Sequence, residues 1–458
     1  MQHISNFRQH LMRVAGAAAL AVLAVGCSDL SDSLLEAADP DIVDPTAAQS
    51  PEGAIGVYNG ALSRFANLSA GDESTWLFGG LLADEWSTSS TFVQNDETDQ
   101  RSIKLNNSSV TGMFRDLARI RTASNQAIEL LTTWQPTMVA QVAEMHLARG
   151  FAELQLASDF CNGIPLSDGT GIEPVLGTPL SVAEVFQTAI ASFDEAIATA
   201  GSTTGSLATS VGRAARIGKA RAQLGLGDIA AAGATVAGIP TSFRYQHTFA
   251  QSSGSNTIWG QGISSERYSV GDNHEGNQGQ FTVANALDFA SANDPRLPVE
   301  YTHANGQDGQ THMRNTDLYD RETSIDVANG IDARLIEAEA ALDAGQPGTM
   351  MTILNDLRAT PPKLGEVQPA AMGPLADPGS AEARVDLLFR EKAFWTFSRG
   401  QRLGDLRRLI RDYGRTEANT FPKGAHYKGG DYGPDVNLPV PEDEKNNPNF
   451  PGCTDRNA

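Results

Sequence analysis

Apolar residues return at helical spacing along most of this chain. In QPTMVAQVAEMHLARGFAELQLASDF, residues 135–160, Leu147, Phe151 and Leu154 share one face, which that period assigns to a core. SVAEVFQTAIASFDEAIATAG, residues 181–201, does the same with Phe186, Ile190, Phe193 and Ile197, and Ser181 with Glu184 makes a capping box at its start. A further helix is predicted over PEGAIGVYNGALSRFANL, with Ser50 as N-cap and Pro51 at the first helical position. Another follows over FRDLARIRTASNQAIELLTTW. Trp134 and Trp395 lie in helical patterns and are expected in the core.

Two later segments are alike. ARAQLGLGD at 220–228 and AEAALDAGQ at 338–346 share A-x-A-x-L-x-x-G. Small residues let one helix lie close on another, and the shared glycine turns the chain into a partner helix, IAAAGATVAGI or TMMTILNDLRA. This is a tetratricopeptide-like helix–turn–helix pattern, and such pairs stack because neither buries its apolar face alone. The copies are 118 residues apart, so a large insertion interrupts the array.

That insertion, about 241–325, has little helical period. It carries Phe243, Tyr245, Trp259, Tyr268, Tyr301 and Tyr319 among Gly, Asn, Gln and Ser. The region 70–110 is similar, with Trp76, Trp86 and Phe92 among Ser, Thr, Asp and Asn. The reading is a mostly α, single domain over 51–458, with helical repeats and long loop-rich insertions; long loops of this kind carry function or are disordered.

The N-terminus sets the compartment. Val14–Gly26 is apolar, follows Arg8 and Arg13, and ends at Cys27. The run is shorter than the ~20 residues of a bilayer-spanning helix and has the layout of an export signal over 1–26. Small residues directly before Cys27 look like a bacterial lipobox, which would leave Cys27 as a lipid-bearing N-terminus; Ala24 stands where Leu is usual. The alternative is an ordinary secretory signal with an incidental cysteine. Residues 27–50 then read as lipid anchor and tether.

Without residues 1–26, 32 Lys and Arg face 55 Asp and Glu, a balance of −23. Such a chain does not grip nucleic acid through phosphate contacts. Cys161 and Cys453 remain; in an oxidising compartment a lone pair tends to form a disulfide, the alternative being two unrelated buried thiols.

Several motifs, in order, resemble the RagB/SusD-like outer-membrane nutrient-binding lipoproteins: ARGFAELQLASDFCNGIPLSD, NDPRLPV, IDARLIEAEAALDAG, FREKAFWTFSRGQRLGDLRRL and NLPVPEDEKNNPNF. With the lipobox they span about 23–451. The pattern departs at Arg399, where an acidic residue is usual, at Lys392, where Arg is usual, and in the extra cysteines. The resemblance implies a SusD-like α-superhelix anchored at the outer membrane and facing the cell surface. It also implies a glycan or other nutrient as ligand and a TonB-dependent β-barrel transporter as partner. An exported repeat scaffold that binds proteins or peptides is the alternative.

No catalytic motif is found. HEGNQ at 274–278 begins like H-E-x-x-H but ends in Gln278. Asp84 and Glu85 are adjacent, and neighbouring side chains point apart, which does not suit a glycosidase pair. No metal or cofactor set is read. Arg402, Asp405 and Arg408 recur at three-residue steps and share a face, either as an anion clamp or, the favoured reading, as a structural salt-bridge network. Sugars offer C–H faces to aromatic rings and hydroxyls to polar groups. Trp76, Asp84, Trp86, Tyr245, Trp259 and Tyr268 are therefore the candidate ligand residues, with a satellite core beneath the loops as the alternative for the aromatics.

Overall fold

Twelve helices among the described residues form the scaffold of this computed structural model, which describes residues 48–70, 74–170, 174–252 and 254–458. The expected export signal, Cys27 and the expected tether up to residue 47 lie outside the described residues. Two units are distinguished, Met1–Gly53 and Ala54–Ala458. In the first, Ser50 Oγ accepts from the Gly53 amide at 3.0 Å, satisfying one of the free N–H groups at a helix start. Among the described residues no helix is long and apolar enough to cross a membrane.

The helices in chain order are α1 (Pro51–Ala70), α2 (Thr75–Leu82), α3 (Val93–Asp99), α4 (Ser108–Trp134), α5 (Val139–Asp159), α6 (Val182–Gly201), α7 (Ser206–Gly225), α8 (Ile229–Val236), α9 (Gly330–Asp343), α10 (Pro347–Ala359), α11 (Ala381–Trp395) and α12 (Arg402–Asp412). From α4 to α10 each packs on the next. The capping box of Ser181 and Glu184 starts α6, and Gly227 and Gly345, both at positive φ, turn α7 into α8 and α9 into α10. A Cβ at Gly233 would stand 2.5 Å from that of Ala340, so α8 and α9 approach at backbone distance. The repeat array therefore continues across the insertion.

The insertion is closed at its neck. Strand β4 (Arg244–His247) leaves the array and β10 (Ile325–Asn329) returns to it, paired antiparallel with Ile325 opposite His247 and Asn329 opposite Arg244. Both Arg244–Asp326 hydrogen bonds measure 2.8 Å. Asn329 and Asp332 then form the capping box that begins α9.

The other strands are short: β1 (Trp86–Thr88), β2 (Ile164–Pro165), β3 (Pro179–Leu180), β5 (Tyr268–Val270), β6 (His274–Glu275), β7 (Phe281–Thr282), β8 (Val299–Asn305) and β9 (His312–Thr316). They form two-stranded pairs: β1 with β5, β2 with β3, β6 with β7 and β8 with β9. The β1–β5 pair joins the 70–110 region to the insertion, Trp86 opposite Val270.

The chain end is stitched to the C-terminus of α5. Cys161 and Cys453 form a disulfide, the Cys161 amide donates to Leu438 O at 2.9 Å, and the Thr454 amide donates to Asn162 O at 2.9 Å.

Candidate ligand-binding site

The two loop-rich regions meet at a ridge, Ser89–Phe92, which follows β1. Its backbone is held by the insertion: the Ser89 amide donates to Arg267 O and the Asp308 amide to Ser89 O, each at 2.9 Å. Ser90 Oγ donates to Gln307 Oε1 at 3.2 Å. An open cavity lies on each side.

The first, of about 530 Å³, is lined by Ser90, Thr91, Asn277, Gln280, Phe281 and Gln310 together with Asp96, Asp308 and Lys428. Lys428 Nζ donates to Ser90 O at 2.7 Å and lies 2.8 Å from Asp96 and 3.2 Å from Asp308. Tyr427 Oη donates to Asp99 Oδ2 at 3.0 Å and also meets Thr88 O. Burial pushes the Asp308 carboxyl up, but hydrogen bonds from Thr311 and Gln310 and the charge of Lys428 outweigh it, leaving the group below the usual carboxylate range. The wall thus carries fixed acceptors, a tethered ammonium, hydroxyls and amides that donate and accept, and the rings of Phe281 and Tyr427.

The second, of about 510 Å³, is lined by Phe92, Gln94, Ser108, Ser109, Gln261 and Arg267. Phe92 is 42% exposed, and the Arg267 guanidinium carbon stands 4.4 Å from its ring centre. Arg267 also donates to Gln261 Oε1 at 2.8 Å. An exposed ring beside amides and a guanidinium is the combination that binds a sugar by stacking and hydrogen bonding.

The aromatic candidates mostly sit elsewhere, and this corrects the expectation that they face a ligand. Trp76 is enclosed, with Nε1 donating to Gln155 Oε1 at 3.1 Å. Trp86 is 2% exposed, donates to Ser398 Oγ at 3.0 Å and packs on Phe397 at 5.0 Å between ring centres. Tyr268 is buried and accepts from Asn95 Nδ2 at 2.5 Å. Their rings belong to the main hydrophobic core, and their polar atoms find internal partners. Tyr245 is also buried, its hydroxyl on Glu144 at 2.8 Å. Trp259 is half-buried at the start of a π-helical turn, Trp259–Ser264. Trp395 is core, whereas Trp134 is 39% exposed at the last residue of α4, where the packed face runs out. The sequence reading did not single out Lys428, Tyr427 or Gln310. The available signal was HYKGGDYG at 426–433, aromatics among glycines as in the insertions.

Asp84 is not a surface acid. It pairs with Arg402 at 3.1 Å inside the protein. Lys392 Nζ lies 2.9 Å from Glu339 and 2.7 Å from Asp405. Arg408 meets Glu339 and lies 3.5 Å from Asp405, and Tyr413 donates to Glu339 at 2.7 Å. Burial alone would raise the Glu339 pKa, but Arg408 and Lys392 hold it well below the usual range. The cavity among these groups is about 40 Å³, room for water but not for a ligand. The geometry is that of an internal ion-pair network. The two unusual residues belong to such pairs: Lys392 bridges two carboxylates, and Arg399 grips Asp332 with bonds of 2.9 and 2.8 Å.

In HEGNQ, Glu275 is buried on Arg314 at 2.5 Å, so it is not free to act as a general base. Among the described residues no group of three or more His, Cys, Asp or Glu is placed to hold a metal ion.

By sequence, no family model and no curated protein matches this chain. By structure, it is similar to a SusD superfamily protein from Bacteroides fragilis (TM-score 0.59, 15% identity, covering 88% of this chain and 99% of that one). A SusD-like carbohydrate binding protein from the same organism matches with TM-score 0.59 at 14% identity, covering 88% and 99%. A surface glycan-binding protein A from Bacteroides uniformis matches with TM-score 0.58 at 13% identity, covering 86% and 98%. The helical-repeat chain described here has the SusD-like fold.

Proposed function

We propose that this chain is a non-catalytic, lipid-anchored binding protein of the outer-membrane surface. It captures an oligosaccharide and passes it to a TonB-dependent β-barrel transporter. The observation that carries the binding step is the pair of open cavities flanking Ser89–Phe92, where hydroxyls, amides, acids, a lysine and the exposed Phe92 ring converge. Neighbours of the same fold described as carbohydrate-binding and glycan-binding support the ligand class. Anchoring rests on Cys27 and its preceding apolar run, and the transporter partner on the sequence resemblance.

Isothermal titration against a glycan panel tests it. Saturable binding is expected, weakened about tenfold in Phe92→Ala, the equivalent of roughly 1.4 kcal/mol, and also weakened in Gln280→Ala. Both side chains are exposed, so both variants should fold. Tight peptide binding without glycan binding would replace capture by the scaffold reading, and release of a cleaved product would overturn any binding-only role.

A further inference from the structure

The two ridge cavities share one short stretch of backbone. Thr91 lines the first and Phe92, the next residue, lines the second, so their walls meet one Cα–Cα step apart, ~3.8 Å. Asp96 and Gln94, two positions apart on α3, divide in the same way. The crest between the cavities is exposed at Thr91, Phe92 and Gln307. Gln307 Oε1 accepts from Ser90 Oγ at 3.2 Å and from the Thr91 amide at 3.4 Å. These bonds fix the side chain on the crest and leave its Nε2 as a donor toward solvent. Gln280 in the first cavity and Gln261 in the second likewise use Oε1 as acceptor, toward the Gln278 amide and Arg267, and each keeps Nε2 as a donor. Gln310 adds a further exposed amide to the first cavity. A row of amides thus runs from one cavity, over the crest, into the other.

We propose that the two cavities are halves of one site, which holds a single neutral oligosaccharide laid across the ridge, its middle on Gln307 Nε2 and the Phe92 ring. The inference rests on the capture reading and narrows its ligand. Each cavity is within the ~300–1,000 Å³ of a small-ligand site, room for about two sugar rings, so a chain that fills both has at least about four. One chain is favoured over two short ones because, once one half is bound, contact with the other is intramolecular. Neutrality follows from the lining. Its charged residues are two acids, Asp96 and Asp308, and two cations, Lys428 and Arg267. Lys428 is held by both acids, at 2.8 and 3.2 Å, and Arg267 lies over the Phe92 ring and donates to Gln261. What the lining offers beyond these pairs is amides and hydroxyls, which both donate and accept and so match sugar hydroxyls. An anionic chain would also approach a protein of formal net charge −21, against its field.

The test titrates the full chain by calorimetry with the two-ring and six-ring members of the cello-, malto-, laminari- and manno-oligosaccharide series, and with hexagalacturonate as the anionic counterpart. In a series that binds, one six-ring chain per protein is expected, held at least about tenfold more tightly than the two-ring member. Phe92→Ala should remove most of that gain. Gln307→Glu keeps the acceptor for Ser90 and Thr91 but loses the crest donor, at an exposed position where the fold is not at risk. It should weaken the six-ring chain at least about threefold and leave the two-ring member unchanged. Equal affinity for two and six rings, two six-ring chains per protein, tighter binding of hexagalacturonate, or equal weakening of both lengths by Gln307→Glu would each overturn the proposal while leaving capture in place. Failure of every glycan to bind would overturn the capture reading itself, and this inference with it.

Discussion

Glu85 shows how far the interior of this protein departs from a plain apolar core. It is 1% exposed; Oε1 accepts from the Ser398 amide at 2.9 Å, while Oε2 has no partner. Burial pushes its pKa up to about 8, against the smaller opposing effects of that hydrogen bond and of Arg402. The folded state therefore holds a proton that the unfolded chain releases near the ordinary glutamate value of 4.5. The sign follows from linkage: stability is fully present below pH 4.5 and is lost as pH rises toward 8. Glu85→Gln removes this titration. Its urea-unfolding free energy is expected to change less between pH 5 and pH 8 than that of the parent, by a few kcal/mol at about 1.4 per pKa unit. Equal slopes in the two proteins would refute the assignment. Sequence could place Asp84 and Glu85 beside aromatics but not inside, because their burial depends on Arg402 and Ser398, more than 300 residues away.

At the scale of elements, the repeat helices pack through glycines that face aromatic rings. A Cβ at Gly150 on α5 would stand 2.8 Å from the Phe193 ring, and one at Gly218 on α7 would stand 2.3 Å from it. Phe193 on α6 is thus held between two bare backbones. Gly218→Ala is expected to destabilise by about 1–3 kcal/mol through overpacking. Gly212→Ala, on the same helix, meets nothing nearer than the Ala200 Cβ at 3.8 Å and should instead stabilise by up to about 1 kcal/mol through helix propensity. Thermal and urea unfolding of the two variants read the opposite signs. The helices and their turns were legible because period, caps and small-residue spacing are local. The strand pairs were not: β1–β5 and β4–β10 join segments remote in sequence, and runs of two to seven residues carry no distinct alternation.

Across the whole molecule, the disulfide joins Cys161 to Cys453 over a separation of 292 residues. Restricting so long an unfolded loop stabilises the native state by about 2–4 kcal/mol. The double variant Cys161→Ser, Cys453→Ser should unfold at lower urea, and added reductant should shift the parent toward it; coincident curves would show that the bridge contributes nothing. The tail it secures lies beside α5. By contrast, the loop carrying Tyr427 and Lys428 forms one wall of the first ridge cavity through contacts with Thr88, Ser90 and Asp96.

The sequence alone determined what local chemistry encodes. Helical period and capping boxes specified the repeat scaffold, the cysteine count and the expected export signal suggested the bridge, and the acidic balance argued against nucleic acid. Tertiary structure decided which polar and aromatic groups are displayed. Trp76 and Trp86, expected at the ligand face, are enclosed, while Phe92, Gln280 and Gln310 remain at the surface. Composition marks a loop as aromatic and polar, but which ring faces water depends on what the remote chain lays over it. Here β5, the 306–308 turn and the 424–432 loop make that choice, so the cavities exist only once the insertion and the chain end have come together.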